Sequence, residues 1–214
     1  MRFYKPPLLA YGSASDDGFK KLKEPGVVGA HHMLPSDWIP DAKTVISIFM
    51  PFSDRVIQSN IKDPVIPSME WRYARIDGQQ HLLSTGALVR DALTASGHQA
   101  VMPQADDRYW AKVRDDGDRS RPLYSSNWSE RHVAFVTGLG TFGLMTNIIS
   151  KAGSCGRLIS VVTDWETAPD EKDYAGMYDY CSKCKVCFLS CPGEAFGEDG
   201  KKSIMKCQAF IGKM

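Results

Sequence analysis

No apolar run in this 214-residue sequence approaches the length needed to cross a membrane, and residues 1–12 lack the long apolar core of a signal peptide. The expectation is a soluble, cytoplasmic protein with no membrane partner. Charge of one sign is also missing. Lysine and arginine total 26 against 25 acids, a formal net charge of +1, so nothing prepares a surface for nucleic acid or an anionic bilayer. Internal repeats and low-complexity tracts are absent, which excludes solenoids, propellers and compositionally disordered linkers. Cysteine is sparse and unevenly spread. Of six, five fall within Cys181–Cys207, a placement that suits metal ligation in a reducing compartment better than a crosslinked framework. What remains is ordinary for a folded protein: 43% hydrophobic and 24% charged residues, in a chain long enough for one good core with a small second domain attached.

The stretch Cys181-Ser-Lys-Cys184-Lys-Val-Cys187-Phe-Leu-Ser-Cys191-Pro192 carries the most specific chemistry. Its C-x2-C-x2-C-x3-C-P spacing is the bacterial ferredoxin run. Two-residue gaps let a tight loop turn three sulfurs inward while main-chain N–H groups face the negative cluster. The fourth cysteine of such a run usually starts a helix and ligates a different cluster, and Pro192 suits that helix's first turn. Structural zinc would want separated C-x2-C knuckles, and a disulfide framework belongs to small secreted domains. Cys181, Cys184, Cys187 and Cys191, with Cys207 further on, are therefore the expected metal ligands.

Along the chain, residues 1–42 are rich in turn formers and read as short pieces joined by loops. His31-His32 reads as surface or capping histidines, because neighbouring side chains point apart. Thr44–Met50 is a buried strand closed by Pro51. Glu70–Ser96 holds helical spacing at Leu82, Gly86, Val89 and Leu93, with Gly97 as C-terminal cap. Gln99–Met102 is a short strand. Gln104–Leu123 is solvated surface or a lid, whose Tyr109 and Trp110 either line a pocket or anchor the loop. Asn127 is placed to cap a helix, with Glu130 reaching back as in a capping box, and the helix runs to Gly138. Gly138-Leu-Gly140-Thr-Phe-Gly143 matches G-x-G-x-x-G, but a helix rather than a strand precedes it. The Rossmann reading is rejected in favour of a tight turn approaching another backbone or a cofactor. Arg157–Thr163 is another strand, Cys155 a packed thiol, Asp164–Asp179 an acidic connector with six acids against one lysine, and Lys201–Gly212 a helix packed through Ile204, Phe210 and Ile211.

The ordered series Trp128–Gly143, Gly156–Asp164 and the cysteine run resembles the iron-sulfur proteins related to epoxyqueuosine reductase and, more distantly, the reductive dehalogenases. The resemblance covers 124–214 well and the first hundred residues loosely, around Val45–Phe49. It implies an α/β (α+β, nitroreductase-like) sheet with packed helices over residues 1–165. It further implies a small [4Fe-4S] ferredoxin-like domain over 166–214 that feeds electrons to cobalamin in the larger domain. The helix from Trp128, with Ser129, and the turn Gly138, Gly140, Thr141, Phe142 and Gly143 would edge the corrinoid pocket. A ferredoxin or flavodoxin would be the electron donor.

Three departures qualify what the resemblance implies. Tyr124 stands where the reductase pattern has an acidic proton donor, and is the candidate catalytic residue; a tyrosine takes that role in the dehalogenases. Leu144 replaces a lysine after the glycine turn. Two all-cysteine cubanes need more thiolates than the six in the chain, and the family's closing C-x2-C-x3-C segment is absent after Cys207. In the family pattern that segment completes the cluster of Cys181, Cys184 and Cys187, while Cys191 and Cys207 belong to the other. The chain is either cut short or runs with fewer or incomplete clusters. The expectation is a low-potential redox protein, possible oxidoreductase chemistry, and no epoxyqueuosine reductase activity. The rivals are a pure electron carrier and a corrinoid-binding relative without turnover. Lys183 and Lys185 either tune the cluster potential, steer an acidic donor, or are simply solvated.

Overall fold

The computed structural model describes residues 3–63, 65–114, 123–197 and 200–213. Its centre is β2 (Thr44–Pro51), in which every residue is buried. β2 lies between β1 (Leu8–Ser13) and β8 (Gly156–Thr163), and β8 also pairs with β3 (Ala100–Val101). The sheet order is β1-β2-β8-β3, antiparallel throughout. The apolar run of β2 divides by the strand's period of two. Ile46, Ile48 and Met50 join Tyr4, Val56, Ala74, Leu82 and Ile159 on one face. On the other, Val45 meets Phe19, Trp38, Trp128 and Val133, and Phe49 meets Ala134, Leu139 and Ile148. Helices α3 (Asp54–Ile61), α4 (Met69–Arg75) and α5 (Gly78–Ala95) supply the first face. Helices α1 (Asp17–Lys21), α2 (Pro35–Trp38) and α6 (Glu130–Val136) supply the second. Each fully buried Ile or Phe contributes about 1.5–3 kcal/mol, so both faces of β2 stabilise the layer arrangement. The remaining strands form two small ribbons, β4 (Ala111–Arg114) with β5 (Leu123–Ser126) and β6 (Gly140–Phe142) with β7 (Ile148–Ser150). Two short helices, α7 (Val186–Leu189) and α8 (Ile204–Ile211), complete the chain.

Both long strands and the helix from Glu130 fall where the sequence puts them; other local readings need correction. Residues 8–13 were expected to be loop and form an edge strand, paired from Leu8↔Phe49 to Ser13↔Thr44. The single helix over 70–96 is two. Tyr4 reaches the junction and donates its hydroxyl hydrogen to the Ala74 carbonyl. A Cβ at Gly78 would lie 2.0 Å from Tyr4 Oη, so only glycine admits that ring where α5 begins. The end of α5 is as expected: Gly97, at φ +89°, donates to Thr94, and His98 donates to Leu93. The stretch 104–123 is not simply a loop, because it contributes β4 and the first residue of β5; residues 115–122 lie outside the described residues. Tyr109 packs against the second core cluster, and the Trp110 ring lies 5.2 Å from that of His31. Cys155 is partly buried against the first cluster, and burial raises its thiol pKa.

Candidate redox site

The acidic stretch after β8 is a strap rather than a free connector. Asp170 accepts the Tyr11 N–H at 2.9 Å and returns its own N–H to the Tyr11 carbonyl at 2.8 Å, covering the exposed edge of β1. Lys172 pairs with Asp16 at 2.8 Å, and Tyr174 stacks on Phe135 with its hydroxyl on the Phe135 carbonyl. Phe142 donates its N–H to Met177 (2.8 Å), and Tyr180 donates its N–H to Thr141 Oγ1 (3.0 Å). The strap thus delivers Cys181 directly beside the glycine turn.

That turn fits its place by backbone approach. Gly138 has φ +95°, and a Cβ at Gly140 would lie 2.2 Å from the Ile149 carbonyl oxygen on β7. Gly138 faces Lys172, Gly143 faces the Ile149 side chain, and Thr141 is fully buried. Only Phe142 of this set reaches a cavity, a cleft of about 620 Å³ also lined by His132, Leu144, Met177, Tyr178 and, on the opposite wall, Cys207 of α8. Arg131, Lys201 and Lys202 bring positive charge to its lining. A volume of this size takes a drug-sized ligand.

Ser129 acts through a neighbour. It is the N-cap of α6, its N–H donates to His32 Nε2 (3.2 Å), and its Oγ is 2.7 Å from His132 Nδ1. The His132 ring lies 4.8 Å from Phe142. His32 is therefore a capping histidine, but a buried one stacked on Trp128. Burial lowers the pKa of both histidines to about 4, so both are neutral at pH 7. Asn127 does not cap the helix, because its side chain bonds the Trp110 N–H and the Arg108 carbonyl. Glu130 does not complete a capping box either. Its Oε1 is buried without a hydrogen-bond partner, and desolvation pushes its pKa up to about 7 against the opposing pull of Ser160 and Gln104. His132, three residues after Ser129 on one helix face, is a cleft residue that sequence reasoning passed over; that spacing was the available signal.

Cys181, Cys187 and Cys191 are partly buried and Cys184 is exposed; all six cysteines are free. Cys187 sits on α7, and Pro192 begins a turn rather than the expected helix. The α8 helix starts later, capped by Ser203. Of the three residues expected to pack it, Ile204 and Phe210 are partly buried and Ile211 is exposed. Among the described residues no three Cys, His, Asp or Glu side chains gather closely enough to hold a metal ion. The donor set nevertheless suits a cluster. Lys183 and Lys185 take left-handed conformations (φ 55° and 60°) that curl the loop. The Val186 N–H and then the Ser182 side chain lower the Cys184 thiol pKa, and the Ala195 N–H donates to Cys191 Sγ at 3.5 Å. Main-chain N–H groups directed at thiolates are what a negative cluster requires. Tyr124 lies on β5 opposite Val113.

Solved structures carry the comparison furthest. The epoxyqueuosine reductase of Streptococcus thermophilus matches 97% of this chain at 19% identity with a TM-score of 0.52. That of Bacillus subtilis matches 97% at 17% identity with a TM-score of 0.53. The chain shares its fold with the epoxyqueuosine reductases. It spans only about half of their length, 54% and 53% respectively. A segment amounting to 36% of the chain is 32% identical over 81 residues to the tetrachloroethene reductive dehalogenase of Desulfitobacterium hafniense, of which it covers 15%. The Dehalobacter restrictus enzyme matches at 32% over 75 residues and 14% of its length. No protein-family model matches. Among the described residues no helix is long and apolar enough to cross a membrane.

Proposed function

We propose that this chain is a reductase-type redox protein in which Cys181, Cys184 and Cys187 hold one iron-sulfur centre. Cys191 and Cys207 serve a second, and electrons pass to a cofactor, a corrinoid by resemblance, in the cleft beside Phe142. The observation that carries this reading is that Cys207 lines the same cleft as Phe142 and His132. A cysteine expected to bind a cluster therefore faces the space a cofactor would fill. A bound cluster supplies single electrons at low potential, and a corrinoid accepts them for two-electron substrate reduction. The chain's own contributions are positional. Ser129 orients His132, Phe142 supplies an apolar wall that excludes water, and Arg131, Lys201 and Lys202 favour an anionic group on the ligand.

Anaerobic purification with and without added cobalamin tests this reading by spectrum and metal content. Iron with retained cobalamin supports it, and Leu144→Trp should then exclude the corrinoid without loss of iron. Iron without cobalamin would favour the electron-carrier reading, and zinc without iron would sink both. Epoxyqueuosine itself is not the proposed substrate. With Tyr124 in the donor position, proton delivery to the departing oxygen would come from a group of ordinary pKa about 10. Multiple turnovers on epoxyqueuosine RNA by cluster-reconstituted protein, lost in Tyr124→Phe, would overturn that exclusion.

A further inference from the structure

The cysteine loop has a second face, turned away from the cleft. Cys184 is exposed, and around it Lys183, Lys185, Val186 and Leu189 are exposed too, Val186 at 59% and Leu189 at 87%. Val186 and Leu189 stand one helical turn apart on α7 and so share a face. Lys201 adjoins this face, because its neighbour Gly200 packs against the Phe188 ring at 3.8 Å. From Cys181 to the end of the chain there are six lysines against three acids, whereas the strap before it carries six acids against one lysine. Asp179, whose charge is felt by Lys183, is turned onto the N–H groups of Ala175 and Gly176.

Resting on the redox reading above, we propose that this apolar, lysine-rimmed face is the electron-entry surface, and that its partner is a small acidic one-electron carrier protein. Three features of the surface support one another. The exposed cysteine puts the redox centre at the surface, where a docked carrier can come close. The Val186–Leu189 pair supplies a desolvated contact, and the lysines select negative charge and speed encounter. The carrier loses one electron and the centre held by this loop gains it; no bond, proton or leaving group changes place. Electrons then enter beside Cys184 and leave beside Cys207, on the side of the loop's domain that faces the cleft.

The test uses reduced flavodoxin as the acidic carrier and the full, cluster-loaded chain, with dithionite as a small reductant that needs no docking. Flavodoxin binding, read by fluorescence anisotropy, and stopped-flow reduction should both weaken as salt rises. Lys183→Glu/Lys185→Glu and, separately, Leu189→Asp should each slow association on the order of tenfold at low salt. Lys21→Glu/Lys62→Glu, the same charge change on the larger domain, should leave it within about twofold. Dithionite should reduce every variant equally. Reduction by dithionite with no salt-dependent flavodoxin binding, or equal binding by all variants, overturns the docking surface and leaves the proposed function standing. Self-association of the chain through this face, abolished by Leu189→Asp, also overturns it. Failure of dithionite to reduce any centre removes the proposed function, and the entry surface with it.

Discussion

The sheet domain and the cysteine segment are built on different physics. Around β2 two apolar layers close over a strand with no exposed residue. Among the described residues of 181–213 only Ala195 is fully buried, and neither α7 nor α8 buries a single side chain. What local packing exists there is a Phe188–Phe196 stack at 4.5 Å and Phe210 over Gly193. A segment this small gains too little from burial to order itself firmly, and a bound centre would supply folding free energy in its place. One region is held by what it hides from water; the other waits on what it ligates.

The largest expected effect tests the ligated half. Cys184→Ser should remove most iron from anaerobic protein and expose 181–213 to proteolysis, while hydrogen exchange in β2 and β8 stays slow. Equal loss of protection in both regions would show that they fold as one unit. Next, Ile48→Ala should cut into the sheet core by about 2–5 kcal/mol, read from urea midpoints, without changing iron content per folded chain.

Glu130 sharpens the comparison through pH. Its folded pKa is raised from 4.5 to about 7, so protonation favours the fold. Its contribution is fully present below about 4.5 and is lost as pH rises through about 7, a difference on the order of 3 kcal/mol. Glu130→Gln should therefore match wild type near pH 5 and exceed it in stability near pH 8. His32 and His132, lowered to about 4, act oppositely, destabilising the fold as pH falls from about 6.5 to about 4. If the gap between Glu130→Gln and wild type is independent of pH, the buried carboxyl is not the titrating group. The smallest effect is expected of Tyr174→Phe, which removes one strap hydrogen bond worth about 0.5–1.5 kcal/mol. It should loosen exchange at Phe142 and Tyr180 before it alters global stability.

Much of this was legible along the chain, and the misses share a cause. The runs at Thr44–Pro51 and Gly156–Thr163 could be read from composition and punctuation because strand burial is written in consecutive residues. The capping-box reading at Asn127 and Glu130 failed because both side chains found distant partners. The first bonds residues 108 and 110, and the second is turned into the core facing Ser160. β1 was hidden because its turn-rich flanks outweigh a six-residue strand until β2 lies beside it.

By itself the sequence determined the ligand set, the two long strands and the rejection of a dinucleotide site, because thiolate spacing and hydrophobic period are local properties. Only the tertiary structure decided that Thr141 anchors the cysteine loop through Tyr180, that His132 is positioned by Ser129, and that Cys207 shares a cleft with Phe142. Those relations join residues far apart in the chain, and no local periodicity encodes a contact whose partners meet only after the strap has crossed the sheet edge.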